Sequence, residues 1–383
     1  MGGMAKIRFG IVGWGWRVDF YMRIARKCPD WFQVVGVVVR KPEKGAAFEK
    51  EWGVPAFRTL EDMLRAVKPA FVVTSVPWEA NPGVVKQIVE AGLPVLSETP
   101  PAPELEVLVD LYNFVERKKG RVQVAEQFHL RPHHQVQIAL ARSGKIGEIS
   151  QAQISAGHGY HGISLMRRLL GVDCQEAVIE ARHFSSPVVR GDGRYGPPDK
   201  SEVISSFQEF YRFEFDDRLG LIDFTFDQYF SFIRNERILV RGEKGEIANQ
   251  DVYFMKDHLT PVHFTLRRHH DGKDGDFHST SLRGIQAGEQ WVYTNPFHGA
   301  PLNDEEIAMG HCLEKMARYV DKGEEFYSLG EACHDQYLYL LAQESVKTGM
   351  KVKTTPQPWS LGAAKLKPLG AAISAQAALS RRE

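Results

Sequence analysis

An excess of charge of one sign is the first thing this sequence lacks. Its 48 basic residues balance 48 acidic ones, and the formal net charge is +0. Without a field of one sign, the chain is poorly suited to hold a nucleic-acid backbone or an anionic membrane surface. The sequence therefore predicts a small-molecule partner, with no nucleic acid and no membrane.

Cysteine and long apolar runs are also scarce. The four cysteines lie far apart and have no CxxC spacing, which excludes a disulfide scaffold and favours a reducing cytoplasm. No run approaches the roughly 18 apolar residues of a membrane span, and no signal-peptide run follows the first charges. We therefore expect a soluble cytoplasmic protein. Its 383 residues suit two domains better than one core.

The first third of the chain alternates short apolar strands with helical patterns. The strands "IRFGIVG", "FQVVGVVV", "FVVTSV", "PVLSE" and "RVQVAEQ" are apolar on both faces, as in a parallel sheet covered on both sides. This pattern predicts an α/β fold that begins with a Rossmann-type, doubly wound domain over residues 1–125.

Later residues change to long alternating strands such as "FQEFYRFEFDDRLGLIDFTF". They predict an α+β domain with a large open, mainly antiparallel sheet over residues 126–360, followed by an Ala-rich tail over 361–383. Within this domain, the Gly/Pro-rich stretch 185–202 and the polar stretch 266–284 are expected to be loops.

A glycine pair stands between the first strand and the first helix, in "FGIVGWGWRVDF". Gly13 would make the tight turn and Gly15 would let backbone N–H groups approach a pyrophosphate at the helix N-terminus. The flanking Trp14, Trp16 and Arg17 are also candidate cofactor-binding residues. The two tryptophans are interpreted either as lids over a cofactor or as surface aromatics that a neighbouring subunit covers.

The end of the second strand bears on which cofactor binds. A carboxylate there would accept the ribose hydroxyls of NAD, but "VVGVVVRKPEK" offers Arg40 and Lys41. A guanidinium would instead meet a 2′-phosphate, so the sequence slightly favours NADP over NAD. The alternative is that the two residues are an exposed pair at a strand end.

Four further motifs follow in order: "SVPWEAN", "SETP", "HGYHGISLMRRLLG" and "SVKTGMKVKT". With the glycine turn, they resemble the glucose-fructose oxidoreductase / inositol dehydrogenase (Gfo/Idh/MocA) family over nearly the whole chain. The resemblance implies NAD(P)-dependent oxidation or reduction of sugars or polyols, and a homodimer or homotetramer formed through the open sheet. The cofactor-binding candidates that it adds are Ser75, Val76, Pro77, Trp78, Asn81, Glu98, Thr99 and Pro100.

The catalytic residues that the resemblance implies are only partly present. The family's Glu-Lys-Pro reads Glu98-Thr99-Pro100 here, and its Asp-x-Gly-x-His-x-x-Asp keeps only Gly159 and His161. An imidazole suits removal of a hydroxyl proton near neutral pH, so His161 is the predicted acid/base and Thr99 a weak hydrogen-bonding substitute for the lysine. Tyr160 and His129 are further catalytic candidates. The histidine clusters lack zinc-site spacing, and no metal is expected.

The substitutions leave three hypotheses open. The first is an NAD(P)-dependent oxidoreductase acting on a sugar, polyol or related carbohydrate. The second is a redox-inactive relative that serves as a nucleotide- or sugar-binding subunit, which the missing lysine and acids favour. The third is a glycoside-cleaving or eliminating enzyme in which a bound NAD is transiently reduced.

Overall fold

The computed structural model describes residues 6–193, 196–272 and 281–360. They form two compact units, each assembled from separate stretches of chain. The first unit contains residues 6–132 and the later segments 269–272, 281–284 and 295–336; the second contains 133–193, 196–268, 285–294 and 337–360. The predicted domain bounds, 1–125 and 126–360, stay predictions. The predicted tail, 361–383, lies outside the described residues.

The first unit is built on a parallel sheet whose described strands have the order β3-β2-β1-β4-β5-β6. The strands are β1 (Ile7–Gly13), β2 (Phe32–Val38), β3 (Ala56–Phe57), β4 (Phe71–Ser75), β5 (Val95–Ser97) and β6 (Val122–Val124). The connecting helices are α1 (Trp16–Lys27), α2 (Pro42–Trp52), α3 (Leu60–Ala66), α4 (Asn81–Glu90) and α5 (Leu105–Lys118). The strand order reverses between β1 and β4, and ligands bind at such a switch point in open α/β sheets.

The sequence explains this sheet well. Every residue of β4 and β5 is buried, as expected of strands covered on both faces. The helices turn only one face inward: in α1, Tyr21 and Ile24 are buried while Asp19 is exposed. The predicted Rossmann-type domain is therefore confirmed.

The second unit contains a larger mixed sheet, whose described strands run in the order β16-β15-β14-β13-β12-β11-β7-β10-β9-β8-β17. Its strands are β7 (Ile149–Ser155), β8 (Val178–Val189), β9 (Val203–Phe215), β10 (Arg218–Thr225), β11 (Arg237–Gly242), β12 (Gly245–Ala248), β13 (Asp251–Met255), β14 (Pro261–His270), β15 (Leu282–Ala287), β16 (Gln290–Thr294) and β17 (Val352–Lys353). From β14 to β17 along this order, neighbours pair antiparallel, except that β7 and β10 are parallel. The predicted open, mainly antiparallel sheet is thus confirmed.

Both expected loops are partly strand. Ser185–Val189 continue β8 and pair with β9, although this stretch contains Pro187. At Pro187, β8 pairs with β9 on one side only, because β17 on the other side pairs only with Val178 and Ile179. Proline is tolerated at such an edge position of a strand. Likewise 266–270 belong to β14, and 282–284 belong to β15. The rest of the second stretch includes 273–280, which lie outside the described residues.

Helix α7 (Gly159–Leu170), which follows α6 (Pro132–Arg142), packs on β7 and β10. Further along the chain are α8 (Asp304–Lys322), in the first unit, and α9 (Leu329–Thr348), which the division of the chain crosses at Gln336. None of the helices in the described part of the chain is long and apolar enough to cross a membrane.

Candidate functional site

The glycine turn sits at the carboxyl end of β1, where β1 pairs with β4. Gly13 has φ 128°, and a Cβ built on it would lie 1.9 Å from the carbonyl oxygen of Ser75. Gly15 is the N-cap residue of α1, and its Cβ would lie 3.0 Å from the Ser75 hydroxyl oxygen. At position 13, only a residue without a side chain fits this close approach of two backbones. The turn leads directly into the N-terminus of α1, and a helix N-terminus favours an anion.

The two tryptophans of the turn are partly exposed, at 41% for Trp14 and 45% for Trp16. Trp14 packs edge-to-face on Phe48 of α2, with ring centroids 5.6 Å apart. Trp16 makes a similar contact with Phe20 at 5.3 Å, and the Arg17 guanidinium lies 5.1 Å from the Trp16 ring. Each ring is thus held by a neighbour within the unit and keeps a large exposed surface.

The residues after β4 separate into buried and exposed ones. Ser75 is 3% exposed, whereas Pro77 and Trp78 lie on the surface, with Trp78 at 50%. Val76 is half-buried. These residues lie at the same sheet edge as the glycine turn, and their roles in cofactor binding stay predictions.

Asn81 is fully buried and serves the fold. Its Oδ1 accepts a hydrogen bond from the Thr74 hydroxyl at 2.7 Å, and its Nδ2 donates to the Ser97 hydroxyl at 3.0 Å and the Pro101 carbonyl at 2.9 Å. The side chain joins the ends of β4 and β5 to the turn that follows β5. A cofactor contact for Asn81 stays a prediction, but its buried side chain has this structural use.

The turn after β5 carries a buried ion pair. Arg17 Nε lies 3.1 Å from Glu98 Oε1, and both side chains are more than nine-tenths buried. The same Glu98 oxygen accepts hydrogen bonds from the Thr99 N–H at 3.0 Å and the Thr99 hydroxyl at 3.3 Å. The Thr99–Pro100 peptide bond is cis. The structure thus brings together Arg17, Glu98 and Thr99 beside the glycine turn.

A second charged group joins the segment after β6 to helix α8. Glu305 of α8 accepts from Arg131 Nε and Nη2 at 3.1 and 2.9 Å, and from Gln127 Nε2 at 2.7 Å. Burial alone would raise the pKa of Glu305, but the charges of Arg131 and Arg17 hold it below its ordinary value. His129, between Gln127 and Arg131, is buried and stacks on Tyr327 with ring centroids 5.5 Å apart.

The end of β2 carries the residues from which the sequence analysis inferred the cofactor preference, and that preference stays a prediction. Val39 is buried at the position where an acid would accept ribose hydroxyls, and Arg40 and Lys41 are both exposed. Lys41 is the N-cap residue of α2. Two cations are therefore available at this strand end.

In the second unit, the start of α7 gathers the predicted catalytic histidine with aromatic neighbours. His161 is 7% exposed, and its ring makes edge-to-face contacts with His158 at 5.0 Å and Tyr160 at 5.4 Å. The Tyr229 hydroxyl lies 2.6 Å from His158 Nδ1 and accepts a hydrogen bond from the His158 N–H at 3.1 Å. A compact imidazole and phenol cluster thus forms at the helix N-terminus.

The structure adds a carboxylate that sequence reasoning missed. Glu209 of β9 is 2% exposed; it accepts from the Gly159 N–H at 2.8 Å and from the Tyr211 hydroxyl at 2.6 Å. Burial raises the pKa of Glu209 above its ordinary value. The acid therefore lies at the first residue of α7, two residues before His161. Its sequence signal is a charge on the inward side of "EFYRFEF", where Tyr211, Phe213 and Phe215 are buried.

Metal ligation finds no support within the ranges that the structure describes. No group of three or more His, Cys, Asp or Glu side chains there is arranged to hold an ion.

Residues 7–126 match the family model described as "Oxidoreductase family, NAD-binding Rossmann fold". Over 150 residues the chain is 27% identical to an uncharacterized protein of Saccharomyces cerevisiae, covering 38% of this chain and 42% of that protein. It is 28% identical over 146 residues to an inositol 2-dehydrogenase of Corynebacterium glutamicum, covering 38% of this chain and 43% of that enzyme. The matches thus span less than half the length of these relatives.

The fold likeness extends much further. A crystal structure of an oxidoreductase from Agrobacterium radiobacter, in complex with NAD+, L-tartaric acid and magnesium, superposes with a TM-score of 0.64. The alignment covers 91% of this chain and 98% of that one at 14% sequence identity. At this identity, the likeness establishes that the two proteins share a fold.

Proposed function

Because the chain belongs to the Gfo/Idh/MocA family of oxidoreductases, we propose that it transfers hydride between a nicotinamide dinucleotide and a hydroxyl group of a sugar, polyol or related carbohydrate. The observation that carries the proposal is the contact of Gly13 with the Ser75 carbonyl. A Cβ there would meet backbone at 1.9 Å, so this position requires glycine, as does the tight turn after the first strand of a dinucleotide site.

The residues present fit such a dinucleotide. The glycine turn and the N-terminus of α1 would hold its pyrophosphate, and Ser75 to Trp78 lie at the carboxyl ends of the strands, where ligands of open α/β sheets bind. When bound, the nicotinamide supplies the hydride chemistry. The protein's own task is to orient the substrate and to move the hydroxyl proton.

Cofactor choice rests on Arg40 and Lys41. Because Val39 stands where an acid would accept ribose hydroxyls, and two exposed cations follow it, the end of β2 is suited to a 2′-phosphate. This favours NADP over NAD as the preferred dinucleotide.

Changing Arg40 to Asp should reverse that preference. A charge-assisted hydrogen bond is worth about 1.5–3 kcal/mol, so we expect the NADP to NAD ratio of kcat/KM to fall by about 10- to 100-fold. Arg117→Asp, which alters an exposed arginine in the last turn of α5, is the control. A wild-type ratio well below one, or a ratio that Arg40→Asp leaves unchanged, would contradict the NADP assignment.

Proton transfer is assigned to His161, with Tyr160 and His129 as lesser candidates and Thr99 as a hydrogen-bonding partner of the substrate hydroxyl. His161 is a buried imidazole beside an aromatic cluster, and imidazole is the side chain best suited to proton transfer near neutral pH. The hydroxyl proton would leave to this ring while the carbon gives up its hydride.

The test is nicotinamide absorbance of the purified protein with NAD or NADP and a panel that begins with myo-inositol. We expect a change with at least one polyol or sugar, and a loss of about 100- to 10,000-fold in kcat for His161→Gln. His258→Gln, at an exposed turn, should match wild type. Dinucleotide binding without any absorbance change would favour a binding subunit, and sugar product without net reduction would favour glycoside cleavage through a transiently reduced NAD.

Two further parts of the proposal concern assembly and location. We place the protein in the cytoplasm, since its few cysteines form no disulfide among the described residues. We propose that the open face of the large sheet joins copies of the chain into a homodimer or homotetramer.

A further inference from the structure

The guanidinium of Arg17 is buried, and one of its nitrogens makes no hydrogen bond within the described residues. Arg17 lies in the first turn of α1 and is 7% exposed, yet its Nη1 has no hydrogen-bond partner within the described parts of the chain. Its Nε is used by Glu98 at 3.1 Å. A buried N–H without a partner costs about 1–3 kcal/mol, and such a group in a native structure calls for an explanation such as a ligand or an ordered water.

The place of this nitrogen suggests what it contacts. Arg17 and the Thr99 hydroxyl meet on one oxygen of Glu98, at the end of β5 and beside the glycine turn. This is the carboxyl edge of the parallel sheet, where the dinucleotide and the reacting part of a substrate are expected. The free nitrogen of Arg17 therefore lies close to the proposed reaction site.

The neighbouring carboxylates do not accept a hydrogen bond from Arg17 Nη1. Glu305 is bound by both Arg131 and Gln127, and Glu126 accepts from the N–H of Phe128 at 3.0 Å. Their charges, with that of Glu98, keep the guanidinium protonated, as an arginine in any protein environment is. Arg17 thus combines a fixed charge with an open donor, which the neutral and shorter Thr99 side chain lacks.

We propose that Arg17 is a catalytic residue, and that its Nη1 donates to the substrate oxygen on which negative charge develops. This inference rests on the proposed function. When an alcohol is oxidised, its C–H bond breaks with the electron pair leaving as hydride to the oxidised nicotinamide. The O–H proton goes to the base and a C=O bond forms. Between these events the oxygen is anionic, and a desolvated cation stabilises it far more than water would.

The test compares Arg17→Met and Arg17→Lys with Arg26→Met, a control on the exposed side of the same helix. We expect Arg17→Met to lower kcat by about 100- to 1,000-fold, by analogy with loss of one preorganised donor. The dissociation constant of the dinucleotide, measured by protein fluorescence, should stay within about threefold because the glycine turn holds it. Arg26→Met should change neither quantity.

Arg17→Lys keeps the charge beside Glu98 and guards against a folding defect in Arg17→Met. Lysine lacks the planar fork that holds Glu98 with one nitrogen and offers another, so kcat should fall by about tenfold or more. Adding Thr99→Lys to Arg17→Met should restore part of the lost turnover, because an ammonium returns to the same turn.

A readout without turnover completes the design. Calorimetry of L-tartrate binding to the protein with reduced dinucleotide should show about tenfold weaker binding in Arg17→Met, because a carboxylate mimics the charged oxygen. Wild-type protein that reacts with no member of the panel would overturn the proposed function. An Arg17→Lys that keeps wild-type kcat, unaltered tartrate affinity in Arg17→Met, or a loss explained by weaker dinucleotide binding would overturn the catalytic role of Arg17.

Discussion

At the scale of single residues, a glycine can be needed for its backbone conformation or for the absence of a side chain, and Gly13 is needed for both reasons. Both Gly13 and Gly53 have positive φ, at 128° and 68°, but a Cβ on Gly53 would meet nothing within 4 Å. A Cβ on Gly13 would enter the Ser75 carbonyl at 1.9 Å. Both positions have a backbone conformation that favours glycine, but of the two only Gly13 would place a Cβ against another atom.

Gly13→Ala should therefore be far more harmful than Gly53→Ala. We expect the control, Gly53→Ala, to lower the free energy of unfolding by about 1 kcal/mol, and Gly13→Ala to lower it by at least about 3 kcal/mol, with loss of dinucleotide binding. Urea unfolding and dinucleotide fluorescence titration measure the two effects. Equal losses at both positions would show that the close approach of β1 and β4 does not matter.

The sequence singles out Gly13, Gly15, Glu98 and His161 as site candidates because each stands in a short motif with fixed spacing, and their roles stay predictions. It names Arg17 only as a cofactor-binding candidate and does not single out Glu209, because the burial of both depends on which face of an element turns inward. Arg17 shares its buried face of α1 with Tyr21 and Ile24, and Glu209 shares that of β9 with Tyr211. The sequence shows that a charged residue occupies a position on the apolar face of a helix or strand. It does not show which residue pairs with that charge, because the pairing residue comes from a distant segment of the chain.

At the scale of elements, the start of α8 is fixed to α1 by one carboxylate. Glu306 forms a capping box with Asn303 and accepts from Arg23 at 2.9 Å and Lys27 at 2.8 Å. Burial would raise the pKa of Glu306, but the bonds from Lys27 and Arg23 outweigh it and hold the pKa below its ordinary value. Since the folded state favours the ionised form, Glu306 stabilises the protein above the pKa of the unfolded chain, and this is lost as pH falls through the folded value.

Glu306→Gln should consequently lower the free energy of unfolding by about 1.5–3 kcal/mol at neutral pH, the worth of hydrogen bonds to a charged group. The difference from wild type should persist down to about pH 4.3, the ordinary glutamate value, and shrink below it. Thermal unfolding across pH measures it. Glu61→Gln, which alters an exposed i,i+4 pair, should leave the curve unchanged; a gap for Glu306→Gln that widens in acid would refute this account.

Element boundaries show where local patterns fail. The alternation of apolar and polar residues in "FQEFYRFEF" predicts strand β9. The pattern arises because one face of that strand is buried on the side of the sheet that the helices cover. The Gly/Pro-rich composition of 185–202 predicted a loop there, although β8 continues through Pro187 to Val189. Proline removes one N–H, and whether that matters depends on which neighbour the strand has at that residue, which local sequence does not record.

At the scale of the whole molecule, the large sheet turns one face toward helix α7 and leaves the other open in the described part of the chain. Ile154, Ile222 and Ile238 are buried on the helical side, while Leu221 and Leu239 flank Gln153 in one row on the open side and are half-buried. Phe210 and Tyr253 lie on the same open side, at 40% and 44% exposed. A mixed apolar and polar surface of this kind is typical of subunit interfaces.

The proposed oligomer follows from that surface. Since a two-fold interface uses the same patch on both copies, one substitution acts twice, and placing a charge at each leucine should separate the subunits. We expect wild-type protein to sediment as a dimer or tetramer, and Leu221→Arg with Leu239→Arg to sediment as a folded monomer with an unchanged circular dichroism spectrum. Leu259→Arg, at a turn that is 75% exposed, should keep the wild-type assembly. If wild-type protein is a monomer at micromolar concentration, the open face does not join copies of this chain; if the double variant stays assembled, another surface joins them.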